Sequence, residues 1–241
     1  METGNIRVFR NECVDLSGRP VEIIIDETSF HVSEKLIRAA SPFFDKAFGG
    51  EWDESKSRTI ELREHDAEVF RTYLYWLHLH KLAVRNDEPG FAGNEEYIHL
   101  AKAYVLGDFL SDFEFKDAVL DAILEKSNSE AHDGRKWNPV GPVIRHIYDN
   151  TLDCSKARQL LVDLYTLHGR GDWLRDWADP EDLPKEFLLD LAVALLDKRV
   201  RPKAATQLGP CHYHQHQPTQ SCYRKKTPTK EAAPSSTASS I

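Results

Sequence analysis

Only two stretches of this chain have the β-branched alternation of strands, and both are short. The first runs through Val21, Ile23 and Ile25, turns at Asp26-Glu27-Thr28, and returns through Phe30 and Val32. Period-two alternation presents one apolar face to a core, so these residues read as a hairpin, although its turn lacks the favoured glycine. The second is Thr59-Ile60-Glu61-Leu62. Every other apolar pattern has helical spacing. A chain so built cannot form an alternating βαβ sheet, and the expected class is α+β, a small sheet flanked by a helical cluster.

The helices are well punctuated. Ser33 reads as the cap of a helix carrying Leu36, Ile37 and Ala40. Ser41-Pro42 is a stronger start, a capping hydroxyl followed by the residue whose missing N–H costs nothing at the first helical position. Phe43, Phe44, Ala47 and Phe48 give that helix its apolar face, and Gly49-Gly50 is its stop. Asp66 caps a helix through Val69, Phe70, Tyr73, Leu74 and Leu77. Asn94 precedes one through Tyr97, Ile98, Ala101, Tyr104 and Val105, with Gly107 as its stop, and Asp112 precedes one through Phe115, Ala118, Val119, Ala122 and Ile123. Three more follow: Val140/Val143/Ile144/Ile147, Ala157/Leu160/Leu161/Leu164/Tyr165, and Phe187/Leu188/Leu191/Ala192/Leu195 after Pro184.

The chain therefore divides into an N-terminal arm (1–18), a domain (19–126), a polar connector (127–138), a helical C-terminal extension (139–200) and a tail (201–241) that is poor in apolar residues and expected to be disordered. Charge follows the same division. The net charge of −8 averages a tail of +5 with 200 residues holding 25 basic and 38 acidic side chains, a net −13. An acidic body disfavours phosphate backbones, so no nucleic-acid contact by the folded body is expected. No run of about 18 apolar residues is present, which excludes a membrane-spanning helix. Met1 to Val14 lacks the apolar centre of a secretion signal, and Cys13, Cys154, Cys211 and Cys222 are too sparse for a disulfide framework. The expected location is intracellular, in cytoplasm or nucleus, with Arg224-Lys225-Lys226 as a weak nuclear signal.

The order of these elements resembles the BTB/POZ family, particularly its short fungal members. The resemblance covers Arg19 to Lys126. It rests on Phe30-His31-Val32 leading into Ser41-Pro42-Phe43-Phe44, then Gly49-Gly50-Glu51-Trp52-Asp53-Glu54-Ser55, Thr59-Ile60-Glu61-Leu62, Phe70-Arg71-Thr72-Tyr73-Leu74-Tyr75-Trp76-Leu77, and Tyr104-Val105-Leu106-Gly107-Asp108-Phe109-Leu110. Each fragment is permissive alone, and together, in order, they are specific. Two departures stand out. The family histidine usually follows the valine, whereas Ser33 does so here and His31 sits one place early, on the opposite strand face. Arg19-Pro20 stands where many members carry an Asp before the first core strand.

The resemblance implies a protein-binding module with no catalytic residue or cofactor, often homodimeric. Leu36 and Ile37, on the helix that forms the family's dimer surface, are the interface candidates, with core packing the alternative for at least one. The resemblance also implies a possible cullin scaffold as partner. Some family members are ubiquitin-ligase adaptors presenting a hydrophobic-x-Glu element, and Trp52-Asp53-Glu54 matches it. The alternative is that Trp52 folds back on its own domain and Glu54 is solvated. The helices of 139–200 either extend such a contact or cover an apolar face, with Trp173, Trp177 and Phe187 favouring burial. A chain of 241 residues is expected to leave no room for a separate substrate-reading domain.

Chemistry is weakly signalled. His78 and His80 lie two apart and point to different helix faces, and no nucleotide, zincin or hydrolase motif appears. Cys211, His212, His214, His216 and Cys222 are ligand types for zinc or copper, but in no standard spacing, so no metal site is assigned. Three classes remain: dimerisation scaffold, ligase adaptor, and an enzyme or metal protein.

Overall fold

The structure, a computed structural model, describes residues 18–50, 57–175 and 183–198. They lie within one compact unit, Met1–Lys198, and the second unit, from Arg199, falls outside the described residues. Strand β1 (Pro20–Ile25) pairs antiparallel with β2 (Thr28–Ser33), Val21 opposite Val32 and Glu22 opposite His31. Asp26 makes the turn at φ 50°, in the left-handed region that a short polar residue tolerates. Strand β3 (Thr59–Glu61) adds parallel to the other edge of β1, giving the order β2-β1-β3. Val21, Ile23 and Ile25 are fully buried, as the alternation requires, while His31 is exposed.

The parallel β1–β3 pairing needs a crossover, and α1 (Glu34–Ala40) and α2 (Pro42–Gly49) lie in it. Ser33 occupies the cap position of α1, but its hydroxyl makes no capping bond and is buried without a partner. It is also the last residue of β2, so strand passes to helix with no turn to aim the hydroxyl at the helix N–H groups. Ser41 does cap α2, accepting from Phe44 N–H at 3.3 Å. It also donates to the carbonyl of Leu110 at 2.7 Å, fully buried.

Asp66 caps α3 (Ala67–Leu79), accepting from Glu68 N–H at 2.9 Å. The next helix, α4 (Gly90–Leu110), begins before Asn94 and runs past Gly107, which is therefore not a stop. A Cβ at Gly107 would lie 2.8 Å from Lys116 Cγ and 3.0 Å from Phe115 Cδ1, so this glycine admits the following helix rather than ending its own. The stop is Ser111, at φ 57°, whose N–H donates to Asp108 O at 3.1 Å. Asp112 then caps α5 (Phe113–Asn128) through Phe115 N–H at 2.9 Å. Phe44, Phe70, Tyr73 and Phe115 form an aromatic chain through the core, with successive centroids 6.5, 5.9 and 4.9 Å apart.

The connector is held in place. Gly134 turns at φ 72°, Tyr97 hydroxyl donates to Trp137 O at 2.7 Å, and Val140 N–H donates to Asn94 Oδ1 at 3.3 Å. Four helices follow: α6 (Gly141–Asn150), α7 (Lys156–His168), the single turn α8 (Gly171–Arg175) and α9 (Lys185–Lys198). Val143, Ile144 and Ile147 of α6 continue the same core, against α4. Phe187 is fully buried, 5.6 Å from Tyr148 and 5.2 Å from Tyr165 by ring centroids. Trp173 packs edge-on against Tyr165, half-buried, and Trp177 lies outside the described residues. The α9 stripe is only partly used. Phe187 and Leu191 are buried, whereas Leu188 and Leu195 are exposed along with Leu189, Val193 and Leu196.

Candidate partner-binding surfaces

Helix α1 is amphipathic over two turns. Ile37 points into the core and is fully buried, so it is not an interface residue of the folded protomer. Leu36 is half-buried against the core edge, Ala40 is half-buried, and Ala39 is exposed. The exposed side of α1 thus carries Lys35 and Ala39, with Leu36 partly exposed at its edge.

The ends of α1 and α2 are tied by charge. Arg38 pairs with Glu34 one turn earlier at 3.0 Å and with Asp45 of α2 at 2.9 Å. Arg58, in the left-handed conformation at φ 61°, reaches back to Glu34 at 2.5 Å and to the carbonyls of Arg19 and Pro20 at 3.2 and 3.3 Å. Burial raises the Glu34 carboxyl, but hydrogen bonds from Arg58 and Arg38 outweigh it and hold the group below the usual range. Nothing in the sequence marked Arg58, because its role depends on a backbone reversal that no periodicity encodes. These bonds hold the start of β3 beside β1. Trp52 and Glu54 themselves lie outside the described residues. An open cleft of about 1030 Å³ runs along α2, β3 and the end of α4, with Phe43, Lys46, Arg63 and Phe109 among its lining.

Among the described residues, no group of three or more His, Cys, Asp or Glu side chains is placed to hold a metal, and no helix is long and apolar enough to cross a membrane. His78 and His80 are not brought together with other ligands: His80 ends α3 at φ 48°, its ring edge-on to Trp76. The Cys/His tail and Arg224-Lys225-Lys226 lie outside the described residues. Sequence reasoning missed a buried ion pair, Lys126 to Glu96 at 2.7 Å, with side chains 8% and 5% exposed. The two lie thirty residues apart on different helices, and only the tertiary fold brings them face to face.

The hairpin, the Ser41-capped α2, the parallel β3 and the α3–α4 pair follow one another in a single order, and the BTB/POZ domain family model matches that stretch, residues 20–110. This segment is a BTB/POZ domain. Similar solved structures include the BTB domain of human gigaxonin, 16% identical, covering 42% of this chain and 75% of that one at a TM-score of 0.33. The BTB domain of zebrafish PATZ1 is 20% identical, covering 44% of this chain and 75% of that one, also at a TM-score of 0.33. No curated protein matches the chain. The BTB/POZ match ends at the last residue of α4, so α5 to α9 lie beyond it although they share its core. A BTB/POZ domain is a protein–protein interaction module.

Proposed function

We propose that this protein is a non-enzymatic, intracellular interaction module that homodimerises through its BTB/POZ domain. The observation that carries the reading is the outer side of α1, where half-buried Leu36 and exposed Ala39 form a narrow apolar strip beside exposed Lys35 while Ile37 anchors the helix in the core. An isologous contact across such a strip buries apolar area on both copies at once. Co-expression of two differently tagged copies tests it. The tags co-purify for wild type and separate for Leu36→Asp; co-purification of both alike contradicts the dimer surface.

A second reading is the cullin-RING adaptor. It is supported by the Trp52-Asp53-Glu54 sequence within residues 20–110, the stretch that matches the BTB/POZ domain. Tryptophan is suited to anchor an interface. A pull-down decides: loss of cullin capture by the Trp52→Ala, Glu54→Ala double variant supports the reading, and equal capture removes it. Membership among short fungal-type BTB proteins rests on the order of sequence fragments. Metal binding by the Cys/His tail rests on ligand type alone.

A further inference from the structure

The connector and the α7–α8 corner enclose a cleft of about 510 Å³, well outside residues 20–110. That volume falls within the roughly 300–1,000 Å³ of ligand-binding pockets. The indoles of Trp137 and Trp173 supply its apolar walls, and Arg135, Lys136, His168 and Arg170 surround them. No carboxylate is among its lining residues. Two acids stand nearby and are engaged: Asp133 accepts from Trp137 Nε1 at 3.2 Å, and Asp172 pairs with Arg170 at 3.1 Å. Among the described residues, the Arg135 and Lys136 side chains have no ion-pair partner. In the wall, Asn138 Oδ1 is buried without a hydrogen-bond partner.

Two unpaired cations beside two aromatic walls are out of character for a body of net −13. Like charges so placed repel one another, and a negative occupant relieves that repulsion while the indoles bury apolar surface. An inorganic anion would leave the indole walls uncovered. A polyphosphate chain would bring many charges against the acidic body. We propose that this cleft docks an acidic peptide segment of a partner protein, one that seats an aromatic or aliphatic side chain against Trp137 and Trp173 with carboxylates on Arg135 and Lys136. Because it lies beyond the BTB/POZ domain, the site does not depend on dimerisation or on a cullin.

Selection of a random peptide library displayed on phage against the full chain, followed by titration of the best peptide, tests the proposal. The peptides enriched are expected to carry several acids around an aromatic or aliphatic residue. Arg135→Glu with Lys136→Glu is expected to weaken the best peptide about tenfold or more, equivalent to about 1.4 kcal/mol, with an unchanged melting temperature because neither side chain is tied into the fold. Weakening by added salt supports the proposal as well. Several results overturn it: enrichment of peptides without an acid excess, no enrichment, or equal binding by the double variant. It also fails if inorganic phosphate displaces the peptide at equal affinity, if a labelled oligouridylate binds more tightly, or if the double variant instead abolishes self-association.

Discussion

The Tyr73 hydroxyl donates to Asp112 Oδ2 at 3.0 Å in the buried core, while Asp112 Oδ1 accepts from Phe115 N–H at 2.9 Å. One carboxylate therefore caps α5 and satisfies the only polar atom of the aromatic chain. Asp112→Ala removes the cap and strands the tyrosine hydroxyl, with an expected loss of about 2–4 kcal/mol. Tyr73→Phe removes only a donor, for which about 1–2 kcal/mol is expected. Urea unfolding of both variants checks the order, and a larger loss for Tyr73→Phe contradicts it.

Lys126 and Glu96 form the buried ion pair, and Glu96 Oε2 also accepts from Asn86 N–H at 3.0 Å. The Lys126 ammonium lies over the Tyr97 ring, 5.1 Å from its centroid. Removing one partner leaves a desolvated charge, so Lys126→Met is expected to cost about 3–5 kcal/mol. Adding Glu96→Gln neutralises the stranded carboxylate while keeping an acceptor for Asn86. The double variant should recover more than half the loss, and a double-mutant cycle measures it; additive losses would show that the pair does not interact.

Gly107→Ala sets two effects against each other. Alanine favours a helix interior over glycine by about 1 kcal/mol. The new methyl, however, meets Lys116 and the fully buried Phe115 at 2.8 and 3.0 Å, and overpacking of this kind costs about 1–3 kcal/mol. A net loss of stability is expected in thermal melts, and a gain would show that α4 and α5 can part at no cost.

Burial lowers the pKa of His65, His99 and His146. A depressed histidine takes up its proton more readily in the unfolded chain. Its contribution is therefore fully present above the unfolded value of about 6.5 and lost as the pH falls through the lowered folded values. Stability should drop between about pH 7 and pH 5. This precedes any loss from Glu34 or Asp66, whose lowered carboxyls keep their contribution until the pH falls below about 4. Glutamine at all three histidine positions should flatten the upper part of the profile, and an unchanged slope would contradict it.

Local chemistry reveals those features of this fold that local chemistry determines. The alternation of Val21, Ile23 and Ile25, the Ser41-Pro42 start and the Asp66 and Asp112 caps each act within a few residues, and the structure has them all. Where position alone suggested a role, the tertiary fold decided otherwise. Gly107 looked like a stop because spacing along the chain does not show that the next helix packs back against it. Ser33 looked like a cap because a strand end and a helix start overlap there. The pair Leu36-Ile37 divided because α1 can bury only one side, and the cationic cleft around Trp137 and Trp173 was invisible because its walls are separated by the whole of α6 and α7.

The homodimer is the central claim, and light scattering behind size exclusion at tens of micromolar addresses it most directly. The account expects a mass twice that of the 27.6 kDa chain, falling to one chain for Leu36→Asp with its fold intact. A wild-type mass of 27.6 kDa at that concentration would contradict it.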